Sequence, residues 1–193
     1  MRLGVFGGTF DPPHVGHLVT AENVRHELGL DEVLLVVAND PWQKADQVVS
    51  PAADRLAMVE AAVAGVDGLR ASTVEIDRGG ASYTADTLTD LHEQHPGADL
   101  YLVLGSDAAA LLPTWERVDE VRTLATLAVV TRPGAEAATP PPGWDHRVVE
   151  APRLDVSSTD LRARVVDGRP LDYLVPPAVV RVIRERRLYA PTR

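Results

Sequence analysis

The chain has 193 residues, no cysteine, 28 Asp and Glu against 19 Lys and Arg, and a formal net charge of −9. That balance excludes the broad basic footprint by which proteins grip nucleic acid, and the lack of cysteine excludes disulfides and thiolate metal sites. An apolar content of 45% over this length suits a single folded unit, residues 1–193, with a full core.

Residues 1–6, MRLGVF, form a short apolar run of strand type, and residues 18–28 carry apolar side chains at helical spacing with Gly29 as the stop. Between them lies GGTFDPPHVGH, residues 7–17. A glycine-rich turn from a strand into a helix is a ready anion site, because the first helical N–H groups lack partners. Gly7, Gly8 and Gly16 let the backbone approach a phosphate closely. His14 and His17, three residues apart, reach the same small volume at the helix start. The spacing matches neither a dinucleotide fingerprint nor a P-loop.

Residues 32–38, EVLLVVA, are continuously apolar, as in a strand buried on both faces of a parallel sheet. Ser50-Pro51 opens a helix to about Ala64, with proline at the first helical position. A third strand is expected over 69–76, a third helix over 83–93, a fourth strand over 100–104, a helix over 115–124, a fifth strand over 127–131 and a sixth over 147–151. Strands alternating with helices predict an α/β fold, a Rossmann-like doubly wound parallel sheet. Residues 132–144, with four prolines, read as an exposed loop inside the domain. Two closing helices, 157–167 and 177–187, make a small helical part over 157–193. The basic run 184–187 reads as a solvated helix end. The first residues show no charged region followed by an apolar leader, and no apolar span is long enough for a bilayer, so the expected location is cytoplasmic, away from membranes.

Ligands of open α/β sheets bind beyond the carboxyl ends of the strands, and the unusual polar segments fall there. They are the opening turn, Asn39–Lys44, residues 78–84, Gly105–Asp107, and the segment VSSTDLR at 156–162. In the last, Ser157 and Asp160 have capping-box spacing, and Arg162 stands one turn into the helix, where it would grip phosphate oxygens. Residues 78–84 combine a Gly-Gly turn with a helix start near Thr84, whose N–H groups suit a carboxylate or phosphate. Trp115 offers a flat face for a heteroaromatic ring, and Asp107 an acceptor for a sugar hydroxyl. Taken singly, each of these also reads as an ordinary cap, turn or packing residue.

Together they resemble the nucleotidyltransferase superfamily marked by His-x-Gly-His (His14 to His17) and Ser-Ser-Thr-x-x-Arg (Ser157 to Arg162). Within it, the segments 79–88, 105–107, 112–115 and 131–134 are similar to those of the bacterial nicotinate-nucleotide adenylyltransferases. That resemblance implies a cytoplasmic transferase of NAD biosynthesis that moves AMP from ATP to nicotinate mononucleotide. It implies ATP contacts from Gly7, Gly8, Thr9, Phe10, His14, His17, Gly105, Asp107, Arg132, Ser157, Ser158 and Arg162, with His14, His17 and Arg162 catalytic. It implies mononucleotide contacts from Asn39, Lys44, Tyr83, Thr84 and Trp115, with Mg²⁺ carried on the ATP phosphates rather than in a protein cage. A homo-oligomer is compatible with it. Where relatives carry a Pro-Pro-His-Lys type loop, this chain has NDPWQK at 39–44, so histidine is replaced and Trp42 has the bulk to fold over the site. A sister enzyme with nicotinamide mononucleotide or phosphopantetheine as acceptor, or a silent nucleotide sensor, would share much of the same pocket.

Overall fold

In the computed structural model, residues 1–40, 49–131 and 140–190 are described. Six parallel strands run β1 (Arg2–Gly8), β2 (Glu32–Val37), β3 (Leu69–Ser72), β4 (Asp99–Gly105), β5 (Thr126–Thr131) and β6 (His146–Glu150). Their spatial order is β3-β2-β1-β4-β5-β6. Because the winding reverses at β1, a crevice opens between the carboxyl ends of β1 and β4.

The helices are α1 (Val15–Glu27), α2 (Ala52–Val63), α3 (Val74–Arg78), α4 (Thr84–Gln94), α5 (Ser106–Ala110), α6 (Val118–Leu124), α7 (Ser158–Val166) and α8 (Pro177–Glu185). Strand side chains alternate between two cores, as the period-two geometry requires. Leu3, Val5, Leu34, Val36, Leu102 and Leu104 face α4 to α6. Val33, Leu35, Val37, Val103 and Ala128 face α1 and α2. Burial on both faces explains why β2 reads as an unbroken apolar run. A third cluster, with Met58 and Ala62 of α2, Leu161 of α7, and Val179, Val180 and Ile183 of α8, fastens the C-terminal helices to α2.

Three expectations need correction. The third strand stops at Ser72, and the Val74–Arg78 stretch is a short helix instead. Its Val74 enters the core beneath α4, and Glu75 turns inward to accept a 2.6 Å hydrogen bond from Thr87. The helix expected over 115–124 begins only at Val118, because Arg117 adopts the left-handed conformation (φ +53°) and breaks the run. Trp115 therefore lies in extended backbone after a 3₁₀ turn, Leu112–Thr114. Pro51 sits at the N-cap of α2, one place before the first helical position. Of the proline-rich loop, residues 132–139 lie outside the described residues, and Trp144 packs against the core.

Candidate active site

The turn after β1 is built by packing as much as by backbone freedom. A Cβ on Gly8 would lie 2.8 Å from the Phe10 ring, and one on Gly16 would lie 3.0 Å from His14 Nδ1 and 3.1 Å from Val156. These two glycines thus make room for protein side chains, whereas a Cβ on Gly7 would meet nothing within 4 Å. Phe10 takes the left-handed region (φ +51°), a conformation that costs about 1–3 kcal/mol outside glycine. Its buried ring meets the His17 ring edge-on at 5.0 Å.

His14 is the N-cap of α1, and His17 lies one turn further on. Their rings stack with centroids 3.7 Å apart. The His14 backbone N–H donates to His17 Nδ1 at 3.2 Å. With Nδ1 accepting, the neutral His17 ring carries its proton on Nε2. His14 is buried, its Nδ1 has no hydrogen-bond partner, and burial pushes its pKa down to about 4. His17 thus presents an Nε2–H donor, and the His14 Nδ1, in the tautomer that carries its proton, presents a second to an arriving anion.

Residues distant in sequence hold this turn. Arg162 Nη1 donates to the Asp11 carbonyl at 2.8 Å, and Ser158 Oγ donates to the Pro12 carbonyl at 2.9 Å. Ser157 caps α7 by accepting from the Asp160 N–H, so half of the expected capping box is present. Among the described residues the Arg162 Nη2 reaches only Thr159 Oγ1, at 3.4 Å, which leaves donors of the fork for phosphate oxygens.

Three supporting residues escaped the sequence reading. Arg55 on α2 is 1% exposed. It donates to the carbonyls of Ser50, Thr9, Ala38 and Asn39 at 2.5–3.1 Å, tying the turn to the end of β2. Burial lowers its pKa, and Asp11 opposes that shift most strongly. Asp11, 3% exposed, accepts from the Ser50 N–H and from the Tyr189 hydroxyl at 2.5 Å. Burial and the adjoining Asp11 push the Tyr189 phenol up. The available signal was a charge on the apolar stripe of α2: Arg55 precedes Met58 and Val59 at helical spacing. Tyr189 had none, since it follows a basic run that is indeed exposed.

Beside the turn, a cleft of about 220 Å³ opens at the β1–β4 crevice. Gly7, Gly8 and Thr9 line it from β1, Leu102 and Leu104 from β4, and Tyr83, Thr84 and Trp115 from the far side. Gly79 and Gly80 both adopt positive φ, +72° and +71°, which lets the chain turn sharply into α4. That helix starts at Thr84 without a side-chain cap, although the Tyr83 N–H donates to the Ala81 carbonyl. Asn39 secures the loop, its N–H donating to Ser82 Oγ and its amide to the Gly80 carbonyl. Gly105 and Asp107 lie exposed at the carboxyl end of β4. Lys44 and Trp42, with the loop they sit in, and Arg132 lie outside the described residues.

Among the described residues no three His, Asp or Glu side chains converge as a metal cage. The histidine pair offers nitrogen rather than the oxygen donors magnesium prefers. No described helix is long and apolar enough to cross a membrane.

Residues 5–164 match the cytidylyltransferase-like family. A Corynebacterium kroppenstedtii protein described as a "probable nicotinate-nucleotide adenylyltransferase" is 46% identical over 99% of this chain and 92% of its own. A Saccharopolyspora erythraea protein of the same description is 47% identical over 97% of this chain and 89% of its own. The fold is similar to that of Plasmodium falciparum nicotinic acid mononucleotide adenylyltransferase, solved in complex with NaAD. That likeness has a TM-score of 0.78, 97% coverage of both chains and 17% identity.

Proposed function

Because the chain belongs to the cytidylyltransferase-like family and, within it, to the nicotinate-nucleotide adenylyltransferases, we propose that its site divides into a phosphate end and a ring end. The enzyme transfers the AMP part of ATP to nicotinate mononucleotide, forming nicotinate adenine dinucleotide and pyrophosphate in NAD biosynthesis. The observation that carries the division is the stacked His14–His17 pair at the start of α1, set beside the Tyr83–Trp115 cleft.

The acceptor is a phosphate monoester with a second pKa near 6, so it is largely ionised at neutral pH and needs no general base. Its oxygen attacks the α-phosphorus in line, the bond to the β-phosphate oxygen breaks, and pyrophosphate leaves with the electron pair. What the protein supplies is alignment and charge stabilisation. His17 donates from Nε2 to an α-phosphate oxygen as charge builds there, and His14 presents its unpartnered ring to the neighbouring phosphates. Arg162, with Ser157, Ser158 and the amide groups at the start of α7, holds the β- and γ-phosphates. Because the Ser158 hydroxyl donates to Pro12, its backbone N–H is the group it offers. Gly7, Gly8, Thr9 and Phe10 shape the turn around the triphosphate, Arg132 adds charge, and Gly105 and Asp107 meet the adenosine ribose. Mg²⁺ enters on the triphosphate.

At the ring end, the first backbone N–H groups of α4, from Thr84 on, receive the nicotinate carboxylate, Tyr83 lines the cleft beside them, and Trp115 stacks on the pyridine ring. Asn39 and Lys44 are assigned to the mononucleotide phosphate. The test is pyrophosphate release from Mg·ATP with nicotinate mononucleotide, nicotinamide mononucleotide or phosphopantetheine as acceptor. Strong preference for the nicotinate form supports this assignment of the ring end. Preference for another acceptor overturns it while keeping the phosphate end, and release with none of them points to a nucleotide sensor.

A further inference from the structure

One side chain in the cleft has no place in that division of labour. Glu75, on α3, contributes to the cleft lining and is 7% exposed. Its Oε1 accepts from the Thr87 hydroxyl at 2.6 Å, and its Oε2 is buried without any partner. Thr87 belongs to the opening turns of α4 and also accepts from Arg78 Nη2 at 3.2 Å, so the carboxylate is fixed against the helix that receives the acceptor. A buried carboxylate with half its hydrogen-bonding capacity unmet is costly unless something compensates it.

The described residues compensate it weakly. Arg78 is paired with Asp90 at 2.6 Å. Arg55 interacts with Glu75 less than with Asp11, and its donors are committed to four backbone carbonyls. Among the described residues lining the cleft there are two carboxylates, Glu75 and Glu116, and no lysine, arginine or histidine. A wall of that charge opposes the phosphate and carboxylate of the acceptor. The one cationic part of nicotinate mononucleotide is its pyridinium ring, and a positive ring is also what the π-face of Trp115 attracts.

We propose that Glu75 is a specificity-determining residue that makes the cleft selective for a positively charged pyridinium ring over an uncharged one. The inference rests on nicotinate mononucleotide being the acceptor. Burial keeps the carboxylate's field from being screened by solvent, so it acts across the cleft without direct contact.

The test compares nicotinate mononucleotide with its dihydropyridine form, whose ring is neutral while its carboxylate, ribose and phosphate are unchanged. The unaltered protein should favour the oxidised form in kcat/KM by about tenfold. Glu75→Gln keeps an oxygen for Thr87 but removes the charge. It should bring that ratio close to one, through a rise in KM for the oxidised form, with the KM for ATP unchanged. A purely structural role for Glu75 would lower activity with both forms equally. The proposal is overturned if Glu75→Gln retains the preference. It is also overturned, without any variant, if calorimetry shows the unaltered protein binding both forms equally. Absence of turnover with the oxidised form in the unaltered protein would instead overturn the assigned acceptor, and this proposal with it.

Discussion

The two ends of the site are built in opposite ways. At the phosphate end, polar groups are tied to partners far along the chain: Arg162 to Asp11 across 151 residues and Tyr189 to Asp11 across 178. At the ring end the ties are shorter, Thr87 to Glu75 across 12 residues and Asn39 to Gly80 across 41. Two buried polar atoms there, Glu75 Oε2 and Trp115 Nε1, have no partner, against one, His14 Nδ1, at the phosphate end. The contrast fits the chemistry. In-line transfer needs donors fixed before substrate arrives, because stabilisation is greatest when nothing must reorganise as charge develops. Choosing an acceptor instead requires groups whose hydrogen bonds and charge are completed by the right ligand and left unmet by the wrong one.

The largest effect should come from the donor proposed for the reacting phosphorus. His17→Ala is expected to lower kcat by about 10²–10³ while an ATP analogue still binds, as loss of a single transition-state donor does elsewhere. Steady-state kinetics with calorimetry checks this, and unchanged turnover would remove His17 from the mechanism. Next is the buried support. Arg55→Met strips four carbonyls of their donor and leaves Asp11 without its cation, so stability should fall by about 3 kcal/mol in urea unfolding. A loss under about 1 kcal/mol would show that the carbonyls find other partners.

The third prediction concerns pH. The folded-state pKa of His14 is about 4, below its ordinary 6.5, so the unfolded chain binds the proton more readily. Stability linked to this ring is present above about pH 6.5 and is lost as pH falls through the window down to about 4. Between pH 7 and 4.5 the unaltered protein should lose about 2 kcal/mol more than His14→Asn. Equal losses would mean that the ring is solvated in the folded protein. The smallest effect belongs to the outermost tie. Tyr189→Phe removes one hydrogen bond to a buried carboxylate and should cost about 1–2 kcal/mol of stability. It should slow turnover several-fold without changing the mononucleotide KM, and a change confined to that KM would place Tyr189 in the wrong half of the account.

The same contrast governs what could be read before the fold was seen. The alternation of strands and helices, the opening turn, and the helix starts at Thr84 and Ser158 are local patterns, and local patterns are legible. The short α3 was not, because 69–76 is apolar enough for a strand; only the pairing of Glu75 with Thr87, twelve residues on, turns it inward. The late start of α6 depends on one residue, Arg117, whose left-handed backbone no propensity foretells. Asp11, in plain sight within the motif, has its meaning only through Arg55, Tyr189 and Arg162, which the topology brings to it from 44 to 178 residues away. The glycines carry a related lesson: Gly8 and Gly16 also make room for the rings of Phe10 and His14, which no local pattern foretells.

The separation of the two ends is tested most directly by a double-mutant cycle in kcat/KM for nicotinate mononucleotide, using His17→Ala and Trp115→Ala. Two ends that work independently predict losses that add to within about 0.5 kcal/mol. A coupling of about 1 kcal/mol or more would contradict the account, placing the ring stack and the phosphate donor in one interacting unit.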